Sequence, residues 1–184
     1  MTEASKGTHE NLMTAFNGES NAHAKYLEYA QKADEEGYTK VASLFRAAAK
    51  SEEIHARNHA EVLKKMGHDS VKPDIKLPPI KTTKENLEDA LKGETYEKDT
   101  MYPEFLNLAK EDKNTDAVKT FNGALEAEKQ HAKLYAEALT NLETMKDGKV
   151  DFVVCPVCGY TIVKSVFEKC PVCFTPRDKF IDVN

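Results

Sequence analysis

Apolar and polar positions recur along this chain at spacings of three or four residues, the period of an amphipathic helix. The pattern is strongest where Phe121, Leu125, Glu128, His131, Tyr135, Ala138, Leu142 and Met145 fall on one face. An equivalent stripe runs through Val41, Leu44 and Phe45, Ala48, Glu52, His55, His59, Val62 and Met66. Helix punctuation then predicts four long helices. The first spans residues 8–35 and is broken by Gly37, and the second spans 39–66 and is stopped by Gly67. The third opens near Thr82, which has capping-box spacing to Glu85, and the fourth spans 114–145, before Asp147-Gly148. A loop over 67–81, with Pro73, Pro78 and Pro79, joins the second helix to the third.

The two halves repeat one another. Asn11-Leu12-x-x-Ala15-x-x-Gly18-Glu19-Ser20 returns as Asn86-Leu87-x-x-Ala90-x-x-Gly93-Glu94-Thr95, an offset of 75. Glu52-x-x-His55-Ala56 returns as Glu128-x-x-His131-Ala132, and Ala60-Glu61-x-Leu63 as Ala136-Glu137-x-Leu139, an offset of 76. Two related helical hairpins make a four-helix bundle of approximate two-fold symmetry, with the proline-containing loop as the crossover. The change of offset implies one inserted residue after Glu94, in the stretch that also holds Pro103. A π-bulge or kink between Glu97 and Pro103 is the expected consequence.

The anomaly in the pattern is chemical. A carboxylate on a buried face costs several kcal/mol unless it has a partner, yet Glu19, Glu52, Glu94 and Glu128 place one on each helix's core stripe. His55 and His131 follow Glu52 and Glu128 by three residues, one turn away on the same face. One Glu from each of two helices and Glu-x-x-His from the other two is the donor set of a di-iron or di-manganese site in a bundle core. Glu52 and Glu128 are the natural bridging ligands. Glu97 breaks the symmetry, since its counterpart is Ala22 and it lies one turn after Glu94. A fifth carboxylate suggests coordination that changes with oxidation state. His59 and His23 read as packing or surface residues, and His9 and His68 as surface or loop residues.

Composition narrows the class. With 184 residues, 40% of them hydrophobic and 31% charged, the chain can bury a core. A net charge of -5 argues against nucleic acid as a partner. No run approaches the roughly 18–20 apolar residues of a membrane span, and Met1-Thr2-Glu3-Ala4-Ser5-Lys6 lacks the apolar core of a secretory signal. A cytoplasmic protein is expected. All four cysteines lie in Cys155-Pro156-Val157-Cys158-Gly159-Tyr160 and Cys170-Pro171-Val172-Cys173, with eleven residues between the pairs. A segment of about 35 residues needs a metal or cross-links to fold, and four thiolates suit either zinc or iron. The expected division is a bundle over 1–148 and a four-cysteine domain over 149–184.

This pairing of parts resembles the rubrerythrin family over nearly the whole chain, and the cysteine knuckles are similar to those of rubredoxin. The resemblance implies a ferritin-like all-α bundle, a small rubredoxin-like domain, and iron between the cysteines. It further implies a non-haem peroxidase that reduces hydrogen peroxide to water with electrons from an NAD(P)H-linked reductase or a rubredoxin. Carried over residue by residue, it implies Glu19, Glu52, Glu94, Glu97, Glu128 and His131 as di-iron ligands, with His55 exchanging with Glu97 as the site is reduced. Tyr26 and Tyr102 resemble the family's tyrosines beside the site, and core packing is the other reading of both. A head-to-tail homodimer is implied, with each four-cysteine domain facing the partner's di-iron site. Phe174 departs from the pattern, since rubredoxins have glycine there, and residues 161–169 contain no glycine. Two other functions compete: a ferroxidase that oxidises and stores iron, and a structural helical protein with a zinc ribbon. The electron-transfer domain argues against the first, and the buried Glu and His set against the second.

Overall fold

A computed structural model describes residues 7–68 and 71–183. The reading of residues 1–6, and positions 69 and 70 of the crossover, lie outside the described residues. Helices α1 (Thr8–Glu35) and α2 (Thr39–Lys65) form the first hairpin. The chain turns at Gly37, whose φ of +80° suits glycine, and Tyr38 N–H closes the turn on Ala33 O at 2.8 Å. Helix α3 (Thr83–Tyr96) begins with the expected capping box: Thr82 accepts from Glu85 N–H and the Glu85 side chain reaches back. A π-helical segment over Glu97–Met101 and α4 (Tyr102–Glu111) continue in line, so three segments form the third helix of the bundle. The inserted residue implied by the repeat is thus taken up in the π segment. Pro103 lies in the first turn of α4, where a missing N–H does least harm.

Helix α5 (Thr115–Thr140) completes the bundle, capped by Asn114 accepting from Ala117 N–H. It stops short of the expected 145. Thr140 Oγ1 and Asn141 Nδ2 bond back to the carbonyls of Ala136 and Glu137, and a separate 3₁₀ turn follows at Leu142–Met145. Two apolar clusters fill the bundle. One is built around Tyr26, Tyr29, Phe45, Leu44 and Tyr135; the other around Leu12, Phe16, Leu63, Tyr102 and Phe121. The stripe carboxylates lie in the belt between them. No described helix is long and apolar enough to cross a membrane.

Three short antiparallel strands follow, β1 (Phe152–Val154), β2 (Thr161–Val163) and β3 (Ile181–Val183), in the order β2-β1-β3. Central β1 is buried on both faces. Side chains alternate along a strand, so Phe152 and Val154 join the bundle's apolar cluster while Val153 packs with Cys155, Cys158, Cys170 and Phe180. The small sheet is thereby pressed onto the bundle.

Candidate metal centre

Four helices bring six side chains to one buried point. Glu19, Glu52, His55 and Glu128 form one set and Glu52, Glu94, Glu128 and His131 another, each with its ligand atoms within 4.8 Å of one another. Glu52 and Glu128 belong to both. Glu52 turns Oε2 to His55 Nδ1 at 2.9 Å and Oε1 to His131 Nδ1 at 3.2 Å. Glu128 turns Oε1 to His55 Nδ1 at 2.9 Å and Oε2 to His131 Nδ1 at 2.8 Å. Glu19 lies on the His55 side and Glu94 on the His131 side, at 3.6 and 3.7 Å. Glu97 is half-buried and belongs to neither set.

The electrostatics require cations. Burial pushes the carboxyls of Glu97 and Glu128 well above the usual range, and neighbouring carboxylates push them further. Burial raises Glu52 too. Glu19 departs from this, because His55 and His59 outweigh its burial and hold it low. Burial works against charge on His55 and His131, yet the carboxylates around them raise both well above 6.5. The polypeptide alone must therefore hold protons at this point. Among the described residues, both oxygens of Glu52 and Glu128, Oε2 of Glu19 and Glu94, and Nδ1 of His55 and His131 have no hydrogen-bond partner. Buried polar atoms are rarely left so. Orphaned atoms converging from four helices, rich in carboxylate oxygen with one imidazole to each set, fit a pair of iron or manganese ions.

The second nitrogen of each histidine binds the four-cysteine domain. His55 Nε2 lies 3.1 Å from Cys158 O, and a carbonyl only accepts, so Nε2 carries the proton and Nδ1 is left for a metal. His131 Nε2 lies 3.0 Å from Thr161 Oγ1, whose own proton goes to Gly159 O. Both imidazoles are thus held as Nε2–H tautomers by the same small domain. Helix α2 binds four consecutive carbonyls of the first knuckle. Arg57 donates to Pro156 O at 2.9 Å, Asn58 to Val157 O at 2.7 Å, His55 to Cys158 O and Ser51 to Gly159 O at 2.7 Å. A Cβ on Gly159 would meet His55 Nε2 at 2.3 Å, so only glycine admits this approach. The resemblance placed this domain against a partner's metal site. Instead it sits on the cluster of its own chain, held by those carbonyls and by the burial of β1.

Cys155, Cys158, Cys170 and Cys173 converge within 4.8 Å, with none in a disulfide. The neighbouring Cys155 sulfur and burial push the Cys170 thiol up to about 11 against the opposing Cys158, and four thiolates this close need a cation between them. Phe174 keeps the turn that its lost glycine would have made. Its φ is +62°, and its N–H reaches Cys170 O at 3.1 Å as Gly159 N–H reaches Cys155 O at 3.0 Å. A left-handed non-glycine residue costs roughly 1–2 kcal/mol; here Lys169 Nζ covers the exposed ring at 5.0 Å. Residues 161–169 begin as strand β2 despite having no glycine.

Tyr26 donates to Glu94 Oε1 at 2.6 Å, and Tyr102 donates to Glu19 Oε1. These are symmetry mates, since Glu19 and Glu94 differ by 75 positions and Tyr26 and Tyr102 by 76. The π segment over Glu97–Met101 lies between Glu94 and Tyr102 and accounts for the change of offset from 75 to 76. His59, expected to be a packing or surface histidine, is fully buried and bonded through both nitrogens, to Tyr102 Oη at 3.0 Å and Thr120 Oγ1 at 2.9 Å. Ser51, Thr161 and Thr120 gave no sequence cue, because a single hydroxyl residue on a helix or strand carries no period of its own.

Comparison with known proteins agrees with this construction. The rubrerythrin family model matches residues 10–139, and the model of the rubrerythrin rubredoxin-like domain matches 154–181. Rubrerythrin-2 of Clostridium acetobutylicum is 40% identical over 170 residues, 92% of each chain. Nigerythrin of Nitratidesulfovibrio vulgaris is 40% identical over 173 residues, 94% of this chain and 85% of its own. The structure of fully reduced, all-ferrous nigerythrin superposes with a TM-score of 0.90 at 38% identity, covering 98% of this chain and 89% of that one.

Proposed function

This chain belongs to the rubrerythrin family, with a di-iron site of carboxylate ligands and a four-cysteine rubredoxin-like site, and on that premise we propose that it is a peroxidase reducing hydrogen peroxide to water. The observation that carries the reading is the seating of the thiolate knuckle on the carboxylate cluster, through Cys158 O on His55 and Thr161 on His131. A ferroxidase that stores iron needs no incoming electrons, whereas a peroxidase needs two for each peroxide.

The residues that would hold the metal pair are Glu19, Glu52, Glu94, Glu128, His55 and His131, and Glu52 and Glu128 belong to both donor sets. An iron pair held by these residues would supply the two electrons that O–O cleavage needs, and an iron held by Cys155, Cys158, Cys170 and Cys173 would supply one-electron transfer. The side chains do the rest. The Nε2–H tautomers of His55 and His131 leave Nδ1 free to ligate, and their bonds to Cys158 O and Thr161 link the two centres. Tyr26 and Tyr102 hold Glu94 and Glu19 in place and can give a proton at those carboxylates. His55 lies within a ligand set and Glu97 outside both, the arrangement that the family resemblance assigns to the reduced state, with Glu97 replacing His55 on oxidation. Electrons come from an NAD(P)H-linked reductase or a rubredoxin, and the unpaired cysteines suit the reducing cytoplasm. A homodimer, as the family implies, is not needed to bring the two centres together.

Anaerobically reduced protein mixed with peroxide tests the reading by the visible spectra of both centres. Rapid re-oxidation by peroxide is expected. Re-oxidation by oxygen but not by peroxide would overturn it. Glu97→Ala should leave metal content intact and slow turnover; unchanged turnover would remove Glu97 from the mechanism.

A further inference from the structure

Reducing a peroxide to water consumes two protons with its two electrons, but the cluster is sealed. Glu19, Glu52, Glu94 and Glu128 are each at most 1% exposed. On the peroxidase reading, protons need a built route inward. A cavity of about 550 Å³ opens between α2, α5 and the two knuckles, with Glu61, Lys65, Asp116 and Thr120 in its wall. From Thr120 a line of hydrogen bonds runs into the bundle. Thr120 Oγ1 lies 2.9 Å from His59 Nδ1, His59 Nε2 lies 3.0 Å from Tyr102 Oη, and Tyr102 donates to Glu19 Oε1.

The hydrogen positions follow one from another. The single phenol proton of Tyr102 goes to Glu19, so Tyr102 oxygen accepts from His59 Nε2–H. His59 Nδ1 then offers a lone pair and takes the Thr120 proton. Thr120 is a half-buried residue lining the cavity, so its oxygen is left to accept from cavity water. Every donor along the line points toward Glu19.

The pseudo-symmetry supplies a second observation. Tyr102, His59 and Thr120 correspond, at the offset of 76, to Tyr26, Tyr135 and Leu44. On that side the line has no outer end: Tyr135 lies beside Tyr26, but the position of Thr120 is taken by Leu44, which is buried hydrocarbon. The bundle therefore packs well without the polar trio. Only the side facing the cavity has it, and that cavity also touches Cys158 and Cys173.

We propose that Thr120, His59 and Tyr102 form the proton inlet of the metal centre, drawing from cavity water on the face where the electrons arrive. A proton taken up at Thr120 displaces the next along the line, and one leaves Tyr102 for Glu19. Each heteroatom group gives one proton and receives one, so only O–H and N–H bonds change and none of the three ends with a new charge. Thr120 and His59 act through Tyr102 and are positioning residues of the reaction.

Three full-length variants test the proposal. Thr120→Val keeps the volume and removes the hydroxyl, and Thr120→Ser restores it. His59→Gln keeps one donor and one acceptor, but an amide does not pass protons on. The first readout is independent of turnover: long-range ¹H–¹⁵N spectra of the chain loaded with diamagnetic zinc should show His59 as the Nε2–H tautomer. The opposite tautomer would overturn the proposal. The second readout is proton uptake, followed with a pH-indicator dye, as peroxide oxidises the reduced iron protein. Uptake should slow by about tenfold or more in Thr120→Val and His59→Gln, with a larger solvent deuterium effect, and recover in Thr120→Ser. Unchanged uptake in either variant, or no recovery with serine, would overturn it. Failure of the peroxidase reading would show differently, as a wild-type protein that does not react with peroxide.

Discussion

Substituting Gly159 by alanine should uncouple the two metal centres while leaving each intact. The added Cβ would lie 2.3 Å from His55 Nε2 and 2.7 Å from Ser51 Oγ, so it must move by about 1 Å to reach ordinary contact. The imidazole has no room to yield, because it is buried with Glu52 and Glu128 oxygens packed 2.9 Å from its far side. The knuckle lifts instead, and the bonds from His55 to Cys158 O and from Ser51 to Gly159 O break. Two such bonds and the residual crowding are worth roughly 2–3 kcal/mol of docking, which shifts the docked population about 30- to 150-fold. The φ of +77° at this position adds strain to the knuckle whether docked or not, so it weakens the domain rather than the docking. Gly37→Ala, in the turn between α1 and α2, has a φ of +80° and nothing within 4 Å of the new Cβ, and so gives the general cost of alanine at positive φ without a clash. The assay is anaerobic stopped flow with both centres reduced, following the visible absorbance of the thiolate-bound iron after peroxide is added. Its re-oxidation should slow in Gly159→Ala and stay at the wild-type rate in Gly37→Ala. Wild-type rates in Gly159→Ala, with iron still bound by the cysteines, would refute the reasoning.

Thr161→Val removes the acceptor of His131 Nε2–H and should weaken metal binding at the cluster by about 10- to 100-fold; competition with a chelator measures this, and unchanged affinity would mean the bond does not orient the ligand. At Asp89 burial raises the carboxyl, but Lys25 at 2.9 Å and Tyr29 at 2.8 Å outweigh it and leave it below the usual 3.8. A folded value below the unfolded one gives stability that is present above about pH 4 and lost as pH falls through the folded value. With Asp89 about half exposed, Asp89→Asn should cost only about 0.5 kcal/mol at pH 7, shrinking as pH falls below the unfolded value and through the folded one; urea midpoints across that acid range decide, and a difference independent of pH would count against the pairing. Thr82→Ala removes the capping box of α3 and should cost about 1 kcal/mol, seen as a melting temperature lower by about 2–4 °C; an unchanged melting curve would mean the cap contributes nothing.

The amino-acid sequence alone determined the bundle, its two-fold repeat and the residues that reach its centre. Each Glu-x-x-His pair is set within one helix, and a carboxylate on an apolar stripe is too costly to be accidental, so Glu19, Glu52, Glu94 and Glu128 stood out. The π segment at Glu97–Met101 was legible too, because one inserted residue changes the offset between repeats from 75 to 76. The cysteine knuckles announced themselves by spacing. What periodicity could not carry was any bond between distant elements. His59 read as a packing or surface residue because its partners Tyr102 and Thr120 lie 43 and 61 positions away. Thr161 and Ser51 gain their meaning only when β1 is buried against the bundle and brings the first knuckle down onto α2. Tertiary structure likewise decided that the knuckle sits on its own chain's cluster, and that the His55 donor atom lies among the converging carboxylates. The period of a helix fixes which face a residue occupies; only packing fixes the ångström-scale distances on which a hydrogen bond or a metal ligand depends.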